Sequence, residues 1–301
     1  MNEALATVLG PPYGYGLAFV WGALWGSFYN VVIVFGEGRR ASLLRPGSHC
    51  LGCGAPIRWY DNIPIFSYLR LGRRCRFCGI RISPRYALGE GLTGLLFAYV
   101  TWRLASGTEV DYPRLGVCAA VTLALVAASF VDIEFRIIPD EVSIPGMLLA
   151  PVVSLAWPHV HDVREPFLVE TAARLLGMTP EAWPRACGLL ASLIGMGVGA
   201  GVIAALGVVG RAVFRKEAMG FGDVKLMGFV GGFLGWRVAL LGIVLGAFVG
   251  AVLGLLMLLR TRDTRIPFGP YLSLGCFVAM LHAGDIAVLF ERFAASLQPG
   301  P

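Results

Sequence analysis

The sequence predicts an all-α polytopic membrane protein of about eight transmembrane helices, with a zinc-ribbon-like loop held on the cytoplasmic side. Three observations predict this fold. Of the 301 residues, 56% are apolar and 15% charged, where soluble domains carry about 25% charge. Several apolar runs reach the roughly 18 residues that a helix needs to cross a bilayer. Four of the seven cysteines stand as two Cys-x-x-Cys pairs in one arginine-rich stretch.

The spans are expected at residues 14–36, 86–105, 115–132, 140–157, 186–210, 224–236, 238–259 and 267–290. The N-terminal MNEALATVLGPPYGYG has an acid and no base before the first apolar run, unlike a secretory signal, so the first span is expected to stay attached. Ten arginines, from Arg39 to Arg85, face only Glu37 and Asp61 between residues 37 and 85. Positive loops remain in the cytoplasm, which places this loop inside and the N-terminus outside. Arg211, Arg215 and Lys216, and then Arg260, Arg262 and Arg265, mark later inner loops. Residues 158–185 form the main outward loop, in which EPFLVETAARLLG has the periodicity of a surface helix.

In the inner loop, CLGC (Cys50, Cys53) and CRFC (Cys75, Cys78) are separated by 21 residues, close to zinc-ribbon spacing. Each pair presents two thiolates on a tight turn, and together they complete a tetrahedral four-sulfur site. Disulfides or a redox pair are the alternatives, and two disulfides would need an oxidising compartment. Four sulfurs leave no open position, so the metal is expected to be structural. Cys118, Cys187 and Cys276 lie in apolar spans as small hydrophobes. Arginines interleaved with Trp59, Tyr60, Phe66, Tyr68 and Phe77 raise nucleic acid as a ligand. The positive-inside bias already accounts for the charge, so anionic lipid headgroups are preferred as partner and nucleic acid is not expected. His49 reads as an ordinary loop residue, and His159 and His161 as solvated rather than metal-binding.

Ionisable groups at the end of a span mark functional sites by default. Asp132 closes the third span and Asp223 opens the sixth, in GFGD. Between them the chain crosses out and returns, so both acids emerge at one membrane face whichever way the protein is oriented. Two such carboxylates suit an aspartic protease, one drawing a proton from water while the other, protonated, polarises the scissile carbonyl. Gly220 and Gly222 admit a substrate backbone or a neighbouring helix close to Asp223, and Gly228, Gly231, Gly232 and Gly235 continue a small face. Alternatively Asp223 is an N-cap, or the two acids are proton or cation sites of a transporter or adaptor. Asp140, after Pro139, occupies a capping position. Glu134 and Glu141 are expected at the headgroups with Arg136, and Arg237 at the turn before the seventh span. Glu90, inside the second span, is either a buried hydrogen-bonding group or part of a binding site.

GSFYNVVIV, IRWYDNIPIFSYLRLGRRC between the cysteine pairs, ISPRYALGE, DIEFRIIPD, GFGDVKLMG and IPFGPYLSLG occur in this order. The chain resembles, from about residue 20 to 285, the bacterial type IV prepilin peptidases, which are GxGD aspartic proteases. The resemblance implies catalysis by Asp132 and Asp223, with cleavage on the cytoplasmic side of the inner membrane. The product would be a prepilin or type II secretion pseudopilin freed of its basic leader, in the setting of a pilus or secretion assembly. It further implies N-methylation of the new terminus with S-adenosylmethionine as donor. The expected division is a first helix at 14–36, a four-cysteine zinc loop at 37–85 associated with methylation and extending to about 105, and a peptidase domain at 115–290. No Rossmann-type glycine fingerprint marks a donor site. The cysteine loop with Glu90 is the expected place for one.

Overall fold

The protein is all-helical among the described residues, which in this computed structural model are 13–35, 48–106, 110–161, 177, 181–215, 219–261 and 267–297. The surface helix expected at 165–177 falls almost wholly outside them, as do Arg39, Arg40, Arg45, Lys216, Arg262 and Arg265. Each expected span coincides with a helix: α1 (Tyr13–Phe35), α3 (Pro84–Ala105), α4 (Tyr112–Phe135), α5 (Asp140–Ala156), α6 (Pro184–Phe214), α7 (Phe221–Leu234), α8 (Trp236–Thr261) and α9 (Gly269–Leu297). A short α2 (Phe66–Arg70) lies in the cysteine loop. Among the described residues, four stretches are long and apolar enough to cross a membrane: Tyr112–Phe135, Pro184–Val213, Trp236–Met257 and Gly269–Ser296.

The chain divides into two compact units, Met1–Leu115 and Gly116–Pro301. In the first, α1 packs along α3 through small residues. A Cβ on Gly22 would lie 2.7 Å from the Thr93 carbonyl, and one on Gly26 would lie 2.9 Å from the Glu90 Cα. Glycines four apart let two helix backbones approach where any side chain would hold them apart. In the second unit, α7 is enclosed by α5, α6 and α8. Leu226, Met227 and Val230 are fully buried. Carbonyls of α6 and α7 occupy the space a Cβ would need at Gly195 and Gly231, and Gly232 abuts Ala150 of α5. The small face read along α7 is therefore consumed by packing within the chain, not left open to a substrate.

The break between α7 and α8 is one residue, Gly235, at φ 84°, a left-handed conformation that glycine alone adopts without strain. Beside it His161 is buried, not solvated: its Nε2 lies 2.7 Å from the Ser154 hydroxyl, and burial pushes its pKa down to about 4. Cys118, Cys187 and Cys276 are buried as expected.

Candidate active site

Asp132 sits one turn before the end of α4, on the side that turns inward, because its neighbours Ala128 and Val131 are buried with it. Its Oδ2 accepts the Gly269 N–H at 2.8 Å, at the first residue of α9. A Cβ on Gly269 would stand 2.6 Å from that oxygen, so the absence of a side chain is what lets the amide reach the acid. The amides in the first turn of a helix have no partner within it, and an anion satisfies them.

Asp223 lies in the first turn of α7, and its Oδ2 accepts the Gly220 N–H at 3.1 Å. Gly220 occupies the N-cap, so Asp223 is not the N-cap but the third residue of the helix reaching back. Capping and a further role are compatible, because the bond uses one oxygen. Among the described residues, the second oxygen of each aspartate has no hydrogen-bond partner. Both side chains belong to residues only 7% exposed, and their charges lie within interaction range of each other. Ile138 packs where a Cβ of Gly222 would be, 2.9 Å away, so the chain that follows Asp132 lies directly against the start of α7.

Asp140 is not a cap. It begins α5 after Pro139, makes no capping bond, and pairs with Lys225. That ion pair joins the segment after Asp132 to the first turns of α7. Gly269 and Ile138 were not singled out from sequence. A backbone amide 137 residues from its partner leaves no compositional signal, and only the glycine in IPFG hints at a close approach.

The cysteine loop is built from two copies of one turn. Gly54 donates to the Cys50 carbonyl at 2.9 Å and Gly79 to the Cys75 carbonyl at 3.0 Å. Cys50 in turn donates to Ala55, and Cys75 to Ile80, each at 2.9 Å. All four sulfurs lie within 4.8 Å of one another, with Cys50 and Cys78 at 3.7 Å and Cys53 and Cys75 at 4.0 Å. Tetrahedral zinc with bonds of about 2.3 Å separates its sulfurs by about 3.8 Å, so the donor set fits that ion. The Cys53 and Gly52 amides hold the Cys50 thiol down at about 6. Cys78, although favoured as thiolate by the Ile80 amide, is pushed up to about 12 by desolvation and by its bonds to the other sulfurs.

Three of the loop's arginines, Arg58, Arg70 and Arg76, are engaged within it. Asp61 accepts from Arg70 and Arg76 at 2.6 Å, and the Arg76 hydrogen bond foremost keeps its carboxyl below the usual range. Arg58, Arg70 and Arg76 also lie over the Tyr60 ring. Glu90 belongs to this first unit, with the cysteines, and it accepts the Ile65 N–H at 2.7 Å.

Residues 20–104 match the model of the Bacterial Peptidase A24 N-terminal domain, and residues 119–255 that of the Type IV leader peptidase family. A prepilin leader peptidase/N-methyltransferase of Myxococcus xanthus is 40% identical over 261 residues, covering 86% of this chain and 68% of the relative. Another, of Pseudomonas putida, is 31% identical over 303 residues, covering 92% and 93%. One of Pseudomonas aeruginosa is 34% identical over 260 residues, covering 84% and 77%. No solved structure matches the chain. By these matches, along nearly all of its length, the chain belongs to the type IV leader peptidase family.

Proposed function

We propose that the chain is an inner-membrane aspartic endopeptidase that removes the leader of prepilins or type II secretion pseudopilins and N-methylates the new terminus. The observation that carries the peptidase reading is the pair of buried acids, Asp132 and Asp223, each tied by one oxygen to a main-chain amide and each with the other oxygen unbonded among the described residues. The amides fix two carboxylates in place, and the unbonded oxygens suit a water molecule. One carboxylate takes a proton from that water as its oxygen attacks the scissile carbonyl carbon. The other, protonated, donates to the carbonyl oxygen, and the tetrahedral species collapses with a proton passed to the leaving nitrogen.

Eight spans, with the N-terminus outside, put both aspartates and the cysteine loop at the cytoplasmic face, where the arginines also favour anionic lipid. Zinc at Cys50, Cys53, Cys75 and Cys78 has a structural part, closing the loop that precedes α3. Residues 115–290 form the peptidase portion, and residues 37–105 the portion associated with methylation. S-adenosylmethionine is the methyl donor. The test is incubation of the purified full chain with a prepilin-like peptide and labelled donor. Release of the leader and labelling of the shortened peptide are expected, and an intact peptide refutes the proposal.

A further inference from the structure

The first unit holds a cavity of about 380 Å³, open on one side and of a size usual for sites that take small organic molecules. Ser27 of α1, Tyr68, Leu71 and Ile80 of the loop, and Tyr86 and Glu90 of α3 line it. Most of the wall's surface is apolar, and His49, Arg76 and Arg81 also reach it. Of the two acids that reach it, Asp61 is already neutralised by Arg70 and Arg76. Glu90 is not: among the described residues no Lys, Arg or His pairs with it, although the loop is rich in arginine.

Three features hold that carboxylate where it is. The Glu90 backbone is clamped by Gly26. The Ser27 hydroxyl bonds to its side chain. Ile65, a β-branched residue at φ 60° and ψ −50°, is the centre of a strained γ-turn closed by the Phe66 N–H and the Pro64 carbonyl, and it aims its own N–H at Oε2. Strain in a β-branched residue persists only where the surroundings enforce it, and it concentrates at functional sites. A fixed carboxylate without a counter-charge on an apolar cavity calls for a cation carried on an apolar body.

We propose that this cavity is the methyl-donor site and that Glu90 holds the donor's positive charge. The inference rests on the reading of the chain as a peptidase that also methylates. S-adenosylmethionine supplies a methyl group on a cationic sulfur, with a purine that suits the tyrosine-lined wall. The peptide terminus is a weaker occupant, because it is the end of a long chain and needs no enclosure. In the transfer, the new amino group, having lost one proton to water, forms the N–C bond as the C–S bond breaks. The bonding pair stays on sulfur as a neutral thioether, and the charge passes to nitrogen. Glu90 and Ser27 orient the cationic centre, and the apolar wall keeps water from it.

The test is equilibrium dialysis of the purified full chain in detergent with radiolabelled S-adenosylmethionine. Saturable binding is expected, weakened at least about tenfold in Glu90→Gln, which retains an acceptor for the Ile65 amide. Hydrogen exchange of the wild-type chain, read by mass spectrometry, gives a second measure that needs no variant: donor is expected to slow exchange at residues 57–90. Unchanged exchange, or wild-type affinity in Glu90→Gln, overturns the proposal, as does slowing by a peptide with a free terminal phenylalanine but not by donor. Leader release without any donor binding rejects the cavity and leaves the peptidase reading intact. Failure of the wild-type chain to release leader strikes that reading instead.

Discussion

Gly269 has no side chain to contribute, yet the position of Asp132 depends on it. In Gly269→Ala the new methyl group falls within 2.6 Å of the carboxylate oxygen, so the acid or the start of α9 must shift. Displacement of a reacting group by about 1 Å costs on the order of 100-fold in rate. Leader release by Gly269→Ala is therefore expected to drop about 100-fold with unchanged circular dichroism, and a rate near wild type contradicts this. Asp140→Asn separates the neighbouring acid from the pair: its carboxylate is 55% exposed, and exposed ion pairs contribute about 0–1 kcal/mol. The same assay should find release within about threefold of wild type. At this scale the acids were legible in sequence, because a charge in an apolar run stands out. Of their partners, Gly220 was singled out for its missing side chain and not for its amide, and Gly269 was not singled out, since both act through the main chain.

The helices were legible to within a few residues at most ends, the last running on to Leu297, because hydropathy constrains such a chain tightly. Which helices touch was not legible. The glycines of α7 read as a small face with no partner named, and the structure sets Gly231 against Gly195 of α6 with no room for a Cβ on either. Gly231→Ala is expected to destabilise the second unit by at least about 1–3 kcal/mol, as overpacking does. Gly197→Ala, where nothing lies within 4 Å, should be neutral or stabilising by up to about 1 kcal/mol. Thermal unfolding in detergent compares them, and equal melting temperatures would refute the close crossing. In the cysteine loop, the Asp61 pair supplies a pH dependence. Its carboxyl is depressed in the folded state, so its contribution is complete above the ordinary carboxylate value near pH 4 and fades as pH falls through the lower folded value. Trp59 fluorescence should report loosening of the loop in acid in the wild type, with Asp61→Asn already loosened at neutral pH.

For the whole molecule, topology alone argued that Asp132 and Asp223 share a membrane face, and both lie in the second unit as buried acids near helix ends. The order of motifs along the chain is what made the family recognisable, since GxGD by itself is common. No motif marked a methyl-donor site, and only the cysteine loop with Glu90 pointed to a place for one; the cavity proposed for it is lined by residues distant in sequence. Zinc belongs to this scale as well: Cys50→Ser is expected to lose bound zinc by elemental analysis and to lower the melting temperature of the first unit, and full zinc content in that variant would exclude the four-sulfur site. The central claim is that two fixed acids cleave the leader together. It is tested most directly by timing leader release from a prepilin peptide with purified Asp132→Asn and Asp223→Asn chains at matched concentration. The account predicts no detectable release by either variant, and release at the wild-type rate by either one would contradict it.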